Sequence, residues 1–146
     1  GWTIFHTDGV TTTSVQIKGN TNWANDASDN YMCYAFTAKA GVSAFGTYEG
    51  TDGANTITYA NSNSFTARWL MVRRRDTAGS WVILDSFRGG VGVEQTLSVL
   101  ADLASAETDT SAYGTTFTST GFTFGAGTTS WYFNKSAATY IYCAFA

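Results

Sequence analysis

Residues 67–88 read Ala-Arg-Trp-Leu-Met-Val-Arg-Arg-Arg-Asp-Thr-Ala-Gly-Ser-Trp-Val-Ile-Leu-Asp-Ser-Phe-Arg, two dense apolar runs separated by one polar break. Runs rich in Trp, Val, Ile, Leu and Phe fit a pleated, largely buried surface. Between them, Asp76-Thr77-Ala78-Gly79 suits a tight reversal, with Gly79 free to take a positive φ. The spacing predicts strands over 69–75 and 81–87, paired as a central antiparallel hairpin. No other stretch is as densely apolar, so the rest of the chain is expected to supply shorter strands that pack on this hairpin.

The remaining sequence fits that role. It contains no proline, and its 15 glycines, with Asn and Asp, have to make the turns. Short alternating or apolar segments recur at 1–5, 12–18, 31–36, 43–49, 56–59, 115–119, 121–124, 129–134 and 140–145, with a turn expected at Asp8-Gly9. Tyr31-Met32-Cys33-Tyr34-Ala35-Phe36 is continuously apolar and reads as a strand buried on both sides. Near 93–107 the strand pattern lapses into one long loop or a short helix, since Leu97, Leu100, Ala101 and Ala104 fall at helical spacing. About ten short strands with frequent turns predict an all-β chain folded as an antiparallel β-sandwich. A chain of 146 residues can bury a core without metal or disulfide staples. Cys33 and Cys143 sit in strand-like apolar surroundings and read as buried free thiols, with a structural disulfide as the alternative in an oxidising compartment.

Three segments occur twice, in the same order. Gly1-Trp2-Thr3-Ile4-Phe5 resembles Gly121-Phe122-Thr123-Phe124. The segment 12–18 resembles 128–134, and 31–36 resembles 140–145. Residues 1–36 therefore read as the closing segment of a preceding repeat and 37–146 as one full repeat unit. The 31–36 strand is expected to join 43–146 in a single sandwich. With no initiator Met, the sequence reads as a module of a longer protein.

The Tyr-x-x-Tyr-Ala-Phe at 31–36, followed by Phe45-Gly46-Thr47-Tyr48-Glu49-Gly50, resembles a repeat found in bacteriophage virion proteins. So do Arg68-Trp69-Leu70-Met71-Val72-Arg73-Arg74, the run 81–88 and the closing Tyr-Ile-Tyr-Cys-Ala-Phe-Ala. The resemblance covers about residues 30–146. The apolar Leu97-Ser98-Val99-Leu100 after the glycines at 89–92 departs from it. These repeats occur in tandem in tail, fibre and other structural proteins and are similar to concanavalin or laminin-G-like sandwiches. The resemblance implies a jelly-roll or concanavalin-like sandwich located in the virion. The partners it implies are other virion proteins or copies of the chain itself.

Charge narrows the function further. The net charge is −3 and the pI about 4.8, whereas nucleic acid calls for a basic footprint, so no nucleic-acid partner is expected. No apolar run approaches about 20 residues, so no membrane insertion is expected. The single histidine, His6, reads as an ordinary surface residue without a triad partner, and most of the acids sit in turn sequences rather than as a positioned pair. No enzymatic activity, and in particular no hydrolase activity, is expected.

Charged residues make up only 13% of the chain, which leaves a surface of Thr, Ser, Asn and Gly suited to neutral partners. In the polar loop 20–30, Trp23 with Asn22, Asn25 and Asp26 has the composition of a sugar-stacking platform, and Tyr113 beside Gly114 is a second such ring. These residues are the candidate ligand-binding set, for a cell-surface glycan. The alternative reading of the chain is thus a carbohydrate-binding module; the simpler reading of both rings is that they cap the sandwich. The same loop offers oxygens for calcium, but it matches no EF-hand spacing and Asn/Asp clusters ordinarily form turns, so no metal site or cofactor is assigned. Trp69, Trp81 and Trp131 are read as core. Across the hairpin, Asp85 is expected to pair with Arg73 or Arg75.

Overall fold

A computed structural model describes residues 5–11, 13–17, 30–60, 64–89, 93–109, 114–126 and 131–146. The chain divides into two compact units, Gly1–Phe36 and Thr37–Ala146.

In the first unit, β1 (Phe5–Val10) and β2 (Val15–Ile17) form an antiparallel hairpin with Phe5 opposite Ile17 and Val10 opposite Val15. Thr11 and Ser14 close the reversal. The Thr11 amide donates to the Ser14 carbonyl at 2.8 Å, and the Ser14 amide donates to Thr11 Oγ1 at 2.9 Å. Asp8 and Gly9, expected to be the turn, lie inside β1. A threonine hydroxyl that accepts turn amides competes well with an Asp-Gly pair for the reversal. Residues 30–38 contain no strand, which corrects the expected buried strand at 31–36. Met32 is 79% exposed and Tyr34 75%. Apolar composition alone does not make a strand; ladder partners for its N–H and C=O groups must also be in place.

The second unit contains, in order, β3 (Ser43–Glu49), β4 (Asn55–Thr58), β5 (Trp69–Arg74), β6 (Trp81–Asp85), a one-turn helix α1 (Ser86–Gly89), β7 (Leu97–Leu100), β8 (Thr108–Asp109), β9 (Thr115–Thr118), β10 (Gly121–Phe124) and β11 (Thr139–Phe145). One sheet runs β4-β10-β9 and the other β3-β11-β5-β6-β7-β8. Every strand pairing is antiparallel. The unit is an all-β antiparallel sandwich, as the strand count and turn spacing predict.

Alternation builds the core. Leu70 and Val72 on β5, Val82 and Leu84 on β6, and Tyr140, Tyr142 and Ala144 on β11 face inward. They meet Ile57, Phe117, Phe122 and Phe124 of the smaller sheet. Tyr48 stacks on Tyr140 at 5.1 Å, and Phe122 meets Tyr142 edge-on at 5.3 Å. Such aromatic pairs each add about 0.5–1.5 kcal/mol beyond their buried area. Gly46 lies beneath the Tyr142 ring, where a Cβ would come within 2.8 Å of it, so close approach and not turn-making requires this glycine.

The central hairpin forms, but its turn is longer than expected. Arg73 is opposite Trp81, so the reversal takes in residues 74–80. Gly79 is not among the residues of positive φ. The second strand ends at Asp85, because Asp85 caps α1 where two more strand residues were expected. The helix therefore sits at Ser86–Gly89, and the stretch near 93–107 contains strand β7 followed by loop.

Register also overturns the expected pairing of Asp85 with Arg73 or Arg75. Asp85 is opposite Trp69, four residues along β5 from Arg73, or about 13 Å at the rise of a strand. Its carboxylate instead pairs with Arg88, three residues ahead, at 2.6 Å. Arg73 donates to the Gly79 carbonyl at 3.0 Å and lies 5.4 Å from the centre of the Trp81 ring. Arg75 is exposed. Both cysteines are free thiols, but Cys33 is exposed and only Cys143 is partly buried, which corrects the reading of two buried thiols.

Candidate functional site

The outer face of the six-stranded sheet carries one continuous apolar row. Residues that alternate with the core residues point away from it. Register aligns Phe45, Cys143, Met71, Ile83 and Val99 in one row across β3, β11, β5, β6 and β7. Four strand spacings make this row about 19 Å long. All five side chains are partly exposed. The neighbouring row adds Phe145 opposite Trp69, with rings 5.6 Å apart, and Phe45 lies 5.7 Å from Phe145. A sheet face open to water ordinarily carries polar side chains, so a continuous apolar row marks a face suited to contact with other protein.

A second feature lies where β5 ends and the 131–135 turn passes. Trp131, expected to be a core residue in a strand, lies in a turn and is 52% exposed, and Trp69 and Trp81, also expected in the core, are partly exposed on the outward-facing positions of β5 and β6. The Arg74 guanidinium lies 3.9 Å from the centre of the indole. Arg74 Nε and Nη2 donate to both oxygens of Asp76, at 2.6 and 2.9 Å. That bidentate hydrogen bond holds the Asp76 carboxyl below its ordinary range and raises Arg74 above its own.

The backbone beneath the indole is fixed from the core. Tyr140 Oη donates to the Trp131 carbonyl and accepts from the Lys135 amide, each at 2.9 Å. Buried Asn134 ties this turn to the 51–55 loop. Its Nδ2 donates to the Gly53 carbonyl at 2.7 Å, and its Oδ1 accepts from the Thr51 amide at 3.2 Å and from Asn55 Nδ2 at 3.1 Å. Lys135 Nζ pairs with Asp52 at 2.6 Å, and that hydrogen bond lowers the Asp52 carboxyl. An exposed ring with charged and amide groups around it is the usual composition of a sugar or peptide platform.

A third feature is Phe87, at 94% the most exposed large apolar side chain among the described residues. Asp85 Oδ1 accepts from the amides of Phe87 and Arg88, at 3.1 and 3.0 Å, and so caps α1 and fixes the corner that carries the ring. Arg88 bridges Asp85 and Glu107.

The candidate ligand residues Asn22, Trp23, Asn25, Asp26 and Tyr113 lie outside the described residues, as does all but Asn30 of the 20–30 loop considered for calcium. Among the described residues, no group of three or more His, Cys, Asp or Glu side chains is placed to hold a metal ion, and no helix is long and apolar enough to cross a membrane. Trp131 is the residue that sequence reasoning missed. The available signal was Gly127-Thr128-Thr129-Ser130 ahead of it and Asn134-Lys135-Ser136 behind it, which bracket a turn more readily than a strand.

No curated protein and no solved structure matches the chain. One family model, described as a domain of unknown function, does match, and it spans residues 2–146. The chain accordingly belongs to the DUF7483 family.

Proposed function

We propose that the chain is a non-catalytic module of a bacteriophage virion, in a tail, fibre or other structural protein, and that it works by surface contact in particle assembly or host attachment. The observation that carries this reading is the apolar row Phe45, Cys143, Met71, Ile83 and Val99 on the outer face of the large sheet. Side chains of this kind reward burial against another protein surface by roughly 25 cal/mol per Å². The phage setting is supported by the sequence resemblance to tandem virion repeats. The partners are other virion proteins or further copies of the chain.

Sedimentation of the purified chain beside its Ile83→Lys variant tests the contact. The wild type should self-associate, or bind particles stripped of it, while the variant stays monomeric with an unchanged circular dichroism spectrum. Equal behaviour of the two folded proteins would remove the support of the outer face. Peptide mass spectrometry of purified phage particles tests the location.

Trp131 favours a second reading, a carbohydrate-binding module that recognises a cell-surface glycan through a loop aromatic. Its indole is half exposed and held in one place by Arg74. A glycan array probed with the chain and with Trp131→Ala separates the readings: saccharide binding lost in the variant supports attachment, and a blank array leaves assembly.

A further inference from the structure

The last strand of the chain is the one that joins its large sheet. β11 runs between β3 and β5 and pairs with β3 along its whole length. Among the described residues, β11 is the one strand beside β3 in that sheet. Tyr140, Tyr142 and Ala144 point from β11 into the core, and Ile141, Cys143 and Phe145 point to the outer face.

The chain carries a second version of this strand. Tyr31-Met32-Cys33-Tyr34-Ala35-Phe36 matches Tyr140-Ile141-Tyr142-Cys143-Ala144-Phe145 position by position, with Tyr, Ala and Phe kept at the same places. It also follows a counterpart of β10, Gly1-Trp2-Thr3-Ile4-Phe5, in the same order as in the full unit. Yet residues 31–36 form no strand, and Met32 and Tyr34, which match outward-facing Ile141 and Cys143, are largely exposed. The segment has the sequence of a central strand, and none of the six strands of the large sheet comes from it.

We infer that residues 31–36 are the closing strand of another copy of this fold. The segment fills the slot between the β3 and β5 strands of a second unit, so that successive units are joined by a strand passed from one to the next. Register follows from the match: Tyr31 takes the place of Tyr140, Cys33 that of Tyr142 and Ala35 that of Ala144. The small Cys33 then stands over the position of Gly46, which in the present unit has room for no side chain beneath Tyr142. The receiving slot therefore accommodates a larger residue at that position. Strand passing needs neither the outer-face row nor a virion, so it stands or falls independently of the proposed function.

A two-unit chain tests it, with residues 37–120 of one copy joined to Gly1 of an intact chain. The added copy has its own β3 to β9 and can be completed only by residues 1–36. Hydrogen exchange and limited proteolysis should show the added copy protected to a similar degree as Thr37–Ala146, with close to twice the β-sheet signal per molecule. Ala35→Asp should abolish protection of the added copy alone. Gly46→Val in the added copy, facing Cys33, should raise its unfolding midpoint, whereas the same change facing Tyr142 should lower that of the intact unit. An added copy cleaved like unfolded chain beside a protected intact unit would overturn the proposal. So would protection that Ala35→Asp leaves untouched.

Discussion

The Arg74 guanidinium lies over the Trp131 indole at 3.9 Å while two of its nitrogens bind both oxygens of Asp76. The arginine is thus held by a carboxylate on one side and holds a ring on the other. The indole is fixed without being buried, an arrangement that presents a surface to a partner more readily than it contributes to a core.

Replacing Trp131 with Ala should therefore leave the urea midpoint nearly unchanged while abolishing any glycan binding seen by array or calorimetry. Arg74→Met should keep the fold and weaken the same binding in part, because the ring remains but its orientation is released. A large fall in the midpoint for Trp131→Ala would assign the ring a structural role instead.

Asp85 caps α1 through two backbone amides, and losing such a cap costs about 1 kcal/mol. Asp85→Ala should show a destabilisation of that order in urea unfolding, with hydrogen exchange rising first around Phe87. Burial opposes ionisation of Asp85, but hydrogen bonds from Arg88 and the helix amides outweigh it and hold the carboxyl below 3.8. A carboxyl depressed on folding contributes stability that is fully present above its unfolded pKa and lost as pH falls through the folded value. The wild type should accordingly lose more stability than Asp85→Asn on acidification below about pH 3.8, and the two should run parallel above about pH 5.

The two thiols should separate cleanly. Burial pushes the Cys143 thiol up to about 11, against a smaller opposing hydrogen bond from the Met71 backbone, whereas Cys33 is exposed. Only about one Cys143 in a thousand is thiolate at pH 8. A thiol reagent at that pH should label one equivalent rapidly and the second only in denaturant. Cys33→Ser should remove the rapid phase, and a rapid phase that survives it would contradict the burial of Cys143.

Much of the fold was legible because it rests on period-two alternation. In β5, β6 and β11 every second residue is buried, and each of these strands could be located from its apolar run. What alternation does not encode is partner and register. The run 31–36 has the composition of β11, yet a strand exists only beside its neighbours, and those are a property of topology. The Asp85 pairing failed on register as well: even a tight turn at 76–79 would set Asp85 opposite Leu70, and the observed register sets it opposite Trp69, with Arg73 opposite Trp81. Trp131 was misread because Phe133 and Asn134, adjacent in sequence, are both fully buried, a turn pattern that strand periodicity cannot represent. The outer-face row could be seen only once register had placed five separate strands side by side.

Gly46 and Tyr142, opposite each other on neighbouring strands of the large sheet, give the most direct test of how tightly its inner face is packed. Gly46 is in the interior of β3, where a β-branched residue would ordinarily be favoured, and its φ is not positive, so the backbone itself admits valine. The obstacle is the Tyr142 ring, whose Cε1 and Oη atoms would lie 2.8 Å from a new Cβ. Tyr142 is itself pinned by Phe122 at 5.3 Å and Tyr59 at 6.3 Å, so it cannot swing aside without disturbing the aromatic core. Gly46→Val should cost about 1–3 kcal/mol, the range for overpacking. Removing the ring instead, in Tyr142→Cys, should cost about 2–5 kcal/mol through the cavity it leaves. Combined, the two changes should partly cancel, since the valine grows into the space the ring vacates, and the double variant should be more stable than Tyr142→Cys alone. Chemical denaturation of the four proteins measures the coupling, which for residues in contact is about 0.5–3 kcal/mol. Strict additivity would mean that the Tyr142 ring does not occupy the space above Gly46.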